Sequence, residues 1–508
     1  MAVMPVGIIG IDIGTQGTKG ALFTEDMRQV CAAFEPSRLK TQAGGAVWQE
    51  PADIYLSCAH VIKDLLAQSG YRPASIGAVG LDGQMAGILG IGPDGEATTY
   101  YDSWMDMRCG KYVGEMRARA GSRLTAITGG PFSNTHGPKI LWWKRERPDA
   151  YRRTAKFVLP HGYVAGKMAG KGAEDATFDY TCLHFSGFGD NAKKEWSGEL
   201  LSLFGIDPRK MARIVSPFTV VGGVCAGFAK LSGLAEGTPV VAGCGDTAAG
   251  AFGAGMFRPG SILDCAGTAS VLCSVVDRYA PDVGRQTLAM MRSPVDGYWL
   301  PLAYINGGGL CVRWVRDLLG KAGPLTYDVL EAEAEKVAPG SEGLLFIPHL
   351  SGRVLPLNPR MRGSLTGLTF RHGRGHIYRA VMEGVAYEYA YFLSVLRQLH
   401  PGRPFRALTC IGGGSNSRLF NRIKANVLGL DVQTFQTGET ALLGSAVIAA
   451  VGAGILTDYK KAIYDTMERK ETFPFVPQTN RLYQAHLQVY LQTLAQLESV
   501  YEQPVFQD

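Results

Sequence analysis

PVVAGCGDTAAGAFGAGMFRPGSILDCAGTA, residues Pro239 to Ala269, is the stretch whose reading decides the fold. Its apolar opening, Pro239–Ala242, predicts a buried strand, and Gly243-Cys244-Gly245 a turn. Asp246 follows, and the small residues Thr247–Gly255 predict a tightly packed helix. A carboxylate where a buried strand meets a helix lies at the carboxyl edge of a sheet, where α/β proteins usually keep their chemistry. Asp is also a favoured N-cap. Both readings of Asp246 stay open on these residues alone.

Just beyond, Ser261–Cys265 predicts a strand, Ala266–Ser270 a small-residue turn and Val271–Val276 a second strand. The chain begins with the same design. Val6–Ile11 and Gly20–Phe23 are strands around the turn Asp12-Ile13-Gly14-Thr15-Gln16-Gly17-Thr18-Lys19, which reads as a hairpin. Such a turn offers N–H groups, hydroxyls and an ammonium, all of which phosphate oxygens accept from. Glycines serving only the bend are the alternative. The sequence holds no GxxxxGK[ST] loop, and no GxGxxG leads from the first strand into a helix. Two such hairpins, one opening each half, predict a duplicated α/β fold with a cleft in which phosphates are clamped from both sides. The halves are expected at residues 1–258 and 259–508. Asn306-Gly307-Gly308-Gly309 and Ile411-Gly412-Gly413-Gly414-Ser415-Asn416 each open a predicted helix, which suits close approach of a ligand.

Elsewhere the signals are thinner. Ile76–Leu81 predicts a strand ending in a polar loop, Asp82-Gly83-Gln84-Met85. Trp104-Met105-Asp106-Met107-Arg108 sets an aromatic, an acid and a base within five residues. That group suits a polyol, or else a surface ion pair beside a half-buried indole. Lys139–Trp143 begins an amphipathic helix with core aromatics, and residues 160–200 give little functional signal.

Length and composition set the limits. A chain of 508 residues predicts two domains. A net charge of +6 without a basic tail argues against nucleic acid and is compatible with an anionic substrate. Ten scattered cysteines with no CxxC pair argue against zinc and disulfides and for a reducing cytoplasm. No secretory signal is read at the start. The uncharged run Thr440–Thr457 is short for a membrane span and rich in small residues, so it predicts a helix buried against other backbone.

Taken together, these residues resemble the FGGY carbohydrate kinases of the actin-like ATPase superfamily, from about Ile8 to about Gly454. The most specific match is Gly363-Ser364-Leu365-Thr366-Gly367-Leu368 with His376-Ile377 and Ala380-Val381-Met382-Glu383, which resembles the family's C-terminal signature. DIGTQGTK resembles its first phosphate loop, GCGDTAAGAFGAG its catalytic segment, Ala266-Gly267-Thr268 its second phosphate loop and IGGGSNS its adenosine loop. The resemblance implies two actin-like (ribonuclease H-like) domains around a central cleft. It implies ATP and Mg²⁺ as cofactors and a small sugar as the substrate. A cytoplasmic enzyme with no membrane or nucleic-acid partner is expected, and a homodimer is compatible with the family.

The resemblance also implies roles. Asp246 would be the general base and, with Asp12, would hold the metal. Thr15, Gln16, Thr18 and Lys19 would surround the phosphates from one side, and Gly267 and Thr268 from the other. Gly309, Gly413, Gly414 and Asn416 would border the nucleotide. Gln84, Met85, Trp104, Asp106 and Arg108, with Asp246, would border the sugar. These sugar-end segments are similar to those of the xylulokinases, which implies D-xylulose as substrate. Ribulose, a deoxyhexulose, glycerol or erythritol are the alternatives, and a non-kinase ATPase is a further one. Ala86, Thr247, Arg353, Asn134 and His136 depart from the xylulokinase pattern, and the departures are expected to fall at the sugar end.

Overall fold

The computed structural model describes residues 6–267, 269–320, 325–436 and 439–503. Two sheets organise it, each nucleated by one of the hairpins. In the first, the order is Val220–Gly223, Pro239–Gly245, Ile76–Gly83, Gly7–Ile13, Gly17–Phe23, Gln29–Pro36. In the second it is Ala289–Arg292, Trp299–Ile305, Ser270–Ser274, Ile262–Ala266, Ala407–Ile411, Asp431–Gln436, Glu468–Phe473. Each sheet contains an antiparallel run of three strands followed by two strands parallel to the first of the chain's hairpin strands. The repeated order is the duplication expected from the two hairpins.

The strands run further than their apolar residues suggested. The first hairpin strand continues through Asp12, which sits opposite Lys19 on its partner. The strand from Ile76 continues through Asp82 and Gly83, which were read as loop. Gly243 does not end its strand. It has φ +71°, and the register shifts between Val241 and Cys244, so the glycine makes a bulge within Pro239–Gly245. Asp246 then begins the helix Asp246–Gly253 directly.

Helix Thr440–Gly452 comes from the second half of the sequence but packs on the first sheet. Leu442, Ala446, Val447 and Ile448 join the same buried cluster as Ile9, Ile11, Val79 and Leu81. The strands admit the helix backbone because Gly10 and Gly80 lack side chains. A Cβ on Gly10 would lie 2.3 Å from the Leu442 carbonyl oxygen, and one on Gly80 would lie 2.2 Å from that of Ser445. This is the buried helix that the Gly- and Ala-rich run predicted. Among the described residues no helix is long and apolar enough to cross a membrane. All ten cysteines are free.

Candidate active site

Three neighbouring parallel strands end together. Asp12 is in register with Asp82, and Asp82 with Cys244, two residues before Asp246. In-register residues on adjacent strands project from the same face, so the Asp12 and Asp82 carboxyls come within reach of each other. Burial raises the Asp12 carboxyl above its usual range, against a hydrogen bond with Asp82 and the Lys19 charge, with Glu439 adding to the shift. Burial, then Asp12, push Asp82 up further. Asp246 is raised to about 6, by burial first and Asp12 second, against hydrogen bonds from Thr247. A carboxyl tuned toward neutrality at a strand end suits proton transfer.

Helix geometry aims Asp246. As the first helical residue it projects from the sheet edge, and its Oδ1 accepts from the Thr247 hydroxyl at 3.1 Å. Met85 lies over Gly245, where an added Cβ would be 2.6 Å from its sulfur. The buried Tyr101 phenol feels the Asp246 charge and donates to the Gln84 carbonyl at 3.4 Å. Across the cleft, Cys265 lies one residue before the end of strand Ile262–Ala266 of the second sheet, and its half-buried thiol is raised by desolvation first, then by Cys273, Asp264 and Cys410, and last by Asp246. The Asp246 charge is therefore felt at the strand end of the second sheet.

The residues expected around phosphates divide by strand alternation. Lys19 shares the Asp12 face and makes a 2.9 Å ion pair with Glu439. Thr18 pairs with Ile13 and projects from the other face, where its hydroxyl lies 2.6 Å from Ser57 of helix Pro51–Ser69. The Thr18 side chain is thus not brought to the Asp12 face, a correction that follows from the period of two. Thr15 accepts from Trp104 Nε1 at 2.9 Å and donates to Gln84 Oε1 at 3.2 Å, which ties the first turn to the sugar-end residues. Gln16 is exposed at the tip.

On the second half, three glycine turns converge on the end of strand Ile262–Ala266. Gly267 follows that strand, and a Cβ on Gly414 would lie 2.7 Å from the Ala266 Cβ. Gly308, beside Gly309, packs on Ser270, with 2.1 Å from its ideal Cβ to the hydroxyl. Gly413 and Asn416 form a short exposed turn before helix Arg418–Leu428. Thr268 lies outside the described residues.

Among the residues expected at the sugar end, Gln84 is buried and donates to Gln49 at 2.6 Å. Trp104 is exposed, whereas Asp106 is buried and saturated. Its carboxylate accepts from the Val47 N–H at 2.9 Å and from the Arg108 guanidinium at 2.9 and 3.0 Å. Arg108 also reaches Asp102 at 2.9 Å and stacks 4.2 Å above the Trp142 ring. The ion pair expected at the surface is a buried one. Ala86 has φ +62°, a strained backbone for a residue with a Cβ. Arg353, expected at the sugar end, lies instead in the second core. It pairs with Glu498 at 2.7 Å and Glu388 at 3.8 Å.

Two groups escaped the sequence reading. Asp82 is one. The other comes from residues 160–200, where His161 Nε2 meets Asp179 at 2.8 Å. Asp179 Oδ1 accepts from the Thr181 N–H at 2.9 Å, and the Thr181 hydroxyl accepts from the Gly245 N–H at 3.1 Å. This relay fixes the residue immediately before Asp246. Its only sequence signal was the triplet Asp179-Tyr180-Thr181, an ordinary local cap.

The donor set suits a hard cation. Asp12 Oδ1 and Asp82 Oδ1 are buried, receive no N–H or hydroxyl donor and meet only each other, and carboxylate oxygen is the ligand Mg²⁺ prefers. Among the described residues no cluster of three His, Cys, Asp or Glu could enclose a metal. A seat of one or two carboxylates completed by water and phosphate is the usual arrangement for Mg²⁺.

Family models and known proteins match the chain over most of its length. A family model described as the FGGY family of carbohydrate kinases, N-terminal domain, matches residues 7–253, and its C-terminal counterpart matches residues 265–453. A xylulose kinase of Lactococcus lactis is 26% identical, over 96% of this chain and 97% of that protein. A gluconokinase of Bacillus subtilis is 25% identical over 98% and 97%. The crystal structure of a gluconate kinase from Lactobacillus acidophilus superposes with a TM-score of 0.91 at 23% identity, covering 98% of this chain and 99% of that one.

Proposed function

The chain belongs to the FGGY family of carbohydrate kinases, and from that premise we propose that it transfers the γ-phosphoryl group of ATP to the terminal hydroxyl of a ketose, D-xylulose first among them. One observation carries the catalytic assignment. Asp246 stands at the end of a central strand, raised to about 6, with Met85 and Tyr101 beside it and its charge felt at the second sheet's strand end.

In this reading a sugar oxygen attacks the γ-phosphorus as Asp246 accepts its proton. The new P–O bond forms while the bond to the β-phosphate oxygen breaks, and ADP leaves. Lys19 binds phosphate oxygens from one side, and the backbone at Gly267 receives them from the other. Gly309, Gly413, Gly414 and Asn416 line the nucleotide. Asp12 would help hold the Mg²⁺ that accompanies ATP, and that ion, when bound, would neutralise charge on the transferring phosphoryl group. Positioning and charge neutralisation supply most of the rate, because the protein forms no covalent intermediate in this scheme.

A sugar acid is the second reading, since gluconokinases are among the relatives. Against it, the Arg108 guanidinium is committed to Asp102, Asp106 and Tyr100. Neutral partners, Gln84, Tyr101 and Trp104, favour an uncharged ketose. The test is ADP release coupled to NADH oxidation with Mg-ATP. The acceptors are D- and L-xylulose, D- and L-ribulose, L-fuculose, L-rhamnulose, glycerol, erythritol and gluconate. A dominant ketose that fails with Asp246→Ala supports the proposal. A dominant gluconate replaces the substrate, and sugar-independent turnover surviving in Asp246→Ala overturns the mechanism.

A further inference from the structure

We infer that Asp82 is the second carboxylate of the seat for the divalent cation that accompanies the nucleotide, with Ser445 as the residue that positions it. The inference rests on the kinase reading.

Asp82 and Asp12 are in-register partners on adjacent parallel strands. Two residues earlier, Gly80 and Gly10 lie on the same face beneath helix Thr440–Gly452. The two acids therefore emerge side by side from under that helix. Asp82 is fully buried, a position a carboxylate occupies only with compensating partners. One partner is present, as the Ser445 hydroxyl donates to Asp82 Oδ2 at 2.5 Å. Asp82 Oδ1 and Asp12 Oδ1 receive no N–H or hydroxyl donor, and the two carboxyls otherwise meet only each other. Two buried carboxyl oxygens that meet only each other are held together by a shared proton, and a divalent cation takes that proton's place when it binds.

Ser445 belongs to the second half of the sequence and Asp82 to the first. The cation seat would thus be built from both halves, and its geometry would depend on how that helix sits on the sheet.

The test uses Mn²⁺ alone and Mn²⁺ with ADP, following free Mn²⁺ by electron paramagnetic resonance on the full chain. Asp82→Asn, which is nearly isosteric and uncharged, and Asp82→Ser are expected to weaken Mn²⁺ binding about 10-fold or more, as loss of groups supporting a metal does. Ser445→Ala should weaken it by a smaller factor while Asp82 remains. Thermal melting confirms that each variant is folded, and either Asp82 variant suffices if the other is not. Unchanged Mn²⁺ affinity in a folded Asp82 variant overturns the inference. Failure of the unaltered protein to bind Mn²⁺ with ADP would instead count against the kinase reading, so the two failures are distinct.

Discussion

Lys19 and Glu439, 420 positions apart, form an ion pair at 2.9 Å across the two halves of the molecule. Both side chains are about half exposed, at 40% and 56%. Such a pair contributes roughly 0–1 kcal/mol to stability. Its functional weight is greater, because the carboxylate occupies the ammonium that nucleotide phosphates would use. Glu439→Gln should leave the melting temperature nearly unchanged and lower the KM for ATP about 2- to 5-fold, of the order of one surface ion pair. Raised salt should shrink the difference between variant and parent. Steady-state kinetics at two ionic strengths checks both.

On the proposed mechanism Asp246 sets the pH response. A base raised to about 6 is protonated and inactive below that value, so kcat/KM should rise with pH through about 6 and then level. Asp246→Asn should lower kcat by about 10²–10⁴-fold, the usual contribution of a general base, while calorimetry still detects ADP binding. Stability moves the other way. The unfolded carboxyl releases its proton near 3.8 and the folded one near 6, so between those values the folded state holds more protons. Its contribution to stability falls as pH rises across that window, and Asp246→Asn should flatten that slope in urea titrations.

Thr181 holds the Gly245 N–H at 3.1 Å just ahead of the base. Thr181→Val preserves shape and removes the acceptor. Leaving a buried N–H unpaired costs about 1–3 kcal/mol, and denaturant midpoints should fall accordingly. Because the loosened residue adjoins Asp246, kcat should fall while ADP affinity holds. A loss of stability with kcat intact would reduce the relay to a fold element.

Arg353 belongs to the second core, and its loss should act on the fold. Arg353→Ala would leave Glu388 without its main cationic partner, and breaking a buried pair costs about 3–5 kcal/mol. Burial opposes ionisation of Glu388, but Arg353 and His349 hold its carboxyl down at about 2. That stabilisation is present above about 4.5 and is lost as pH falls through about 2. Arg353→Ala should therefore lower the melting temperature at pH 7 and leave the ranking of sugars unchanged in the coupled assay.

Local sequence carried the fold because its main signals are local. Each Gly/Thr turn lies between its own two strands, and the small-residue helix Thr440–Gly452 announces close backbone contact wherever it docks. Asp246 was visible for the same reason, as an acid at a strand-to-helix junction. What was missed depends on register and on distance along the chain. Which face Thr18 takes is decided by pairing with Ile13, one residue's difference from Lys19. Asp82 looked like a loop residue until a parallel neighbour extended its strand. His161, Asp179 and Thr181 gain meaning only beside Gly245, which lies 64 positions after Thr181. Arg353 was assigned by analogy to a sugar end that its partners, Glu388 and Glu498, do not border.

The helix that rests on Gly10 and Gly80 has a consequence for synthesis. The first sheet's strands are complete once residue 245 has been made, yet the helix covering one of its faces ends at Gly452. At ~5–20 residues per second, a ribosome needs roughly 10–40 s to make the intervening segment. Throughout that interval the nascent first half carries an uncovered strip around Gly10 and Gly80, bordered on the same face by Ile8, Ala21, Ala78 and Val241. A chaperone able to shield that strip would act at this stage. A message truncated before the helix would yield a first half that aggregates rather than a smaller soluble domain.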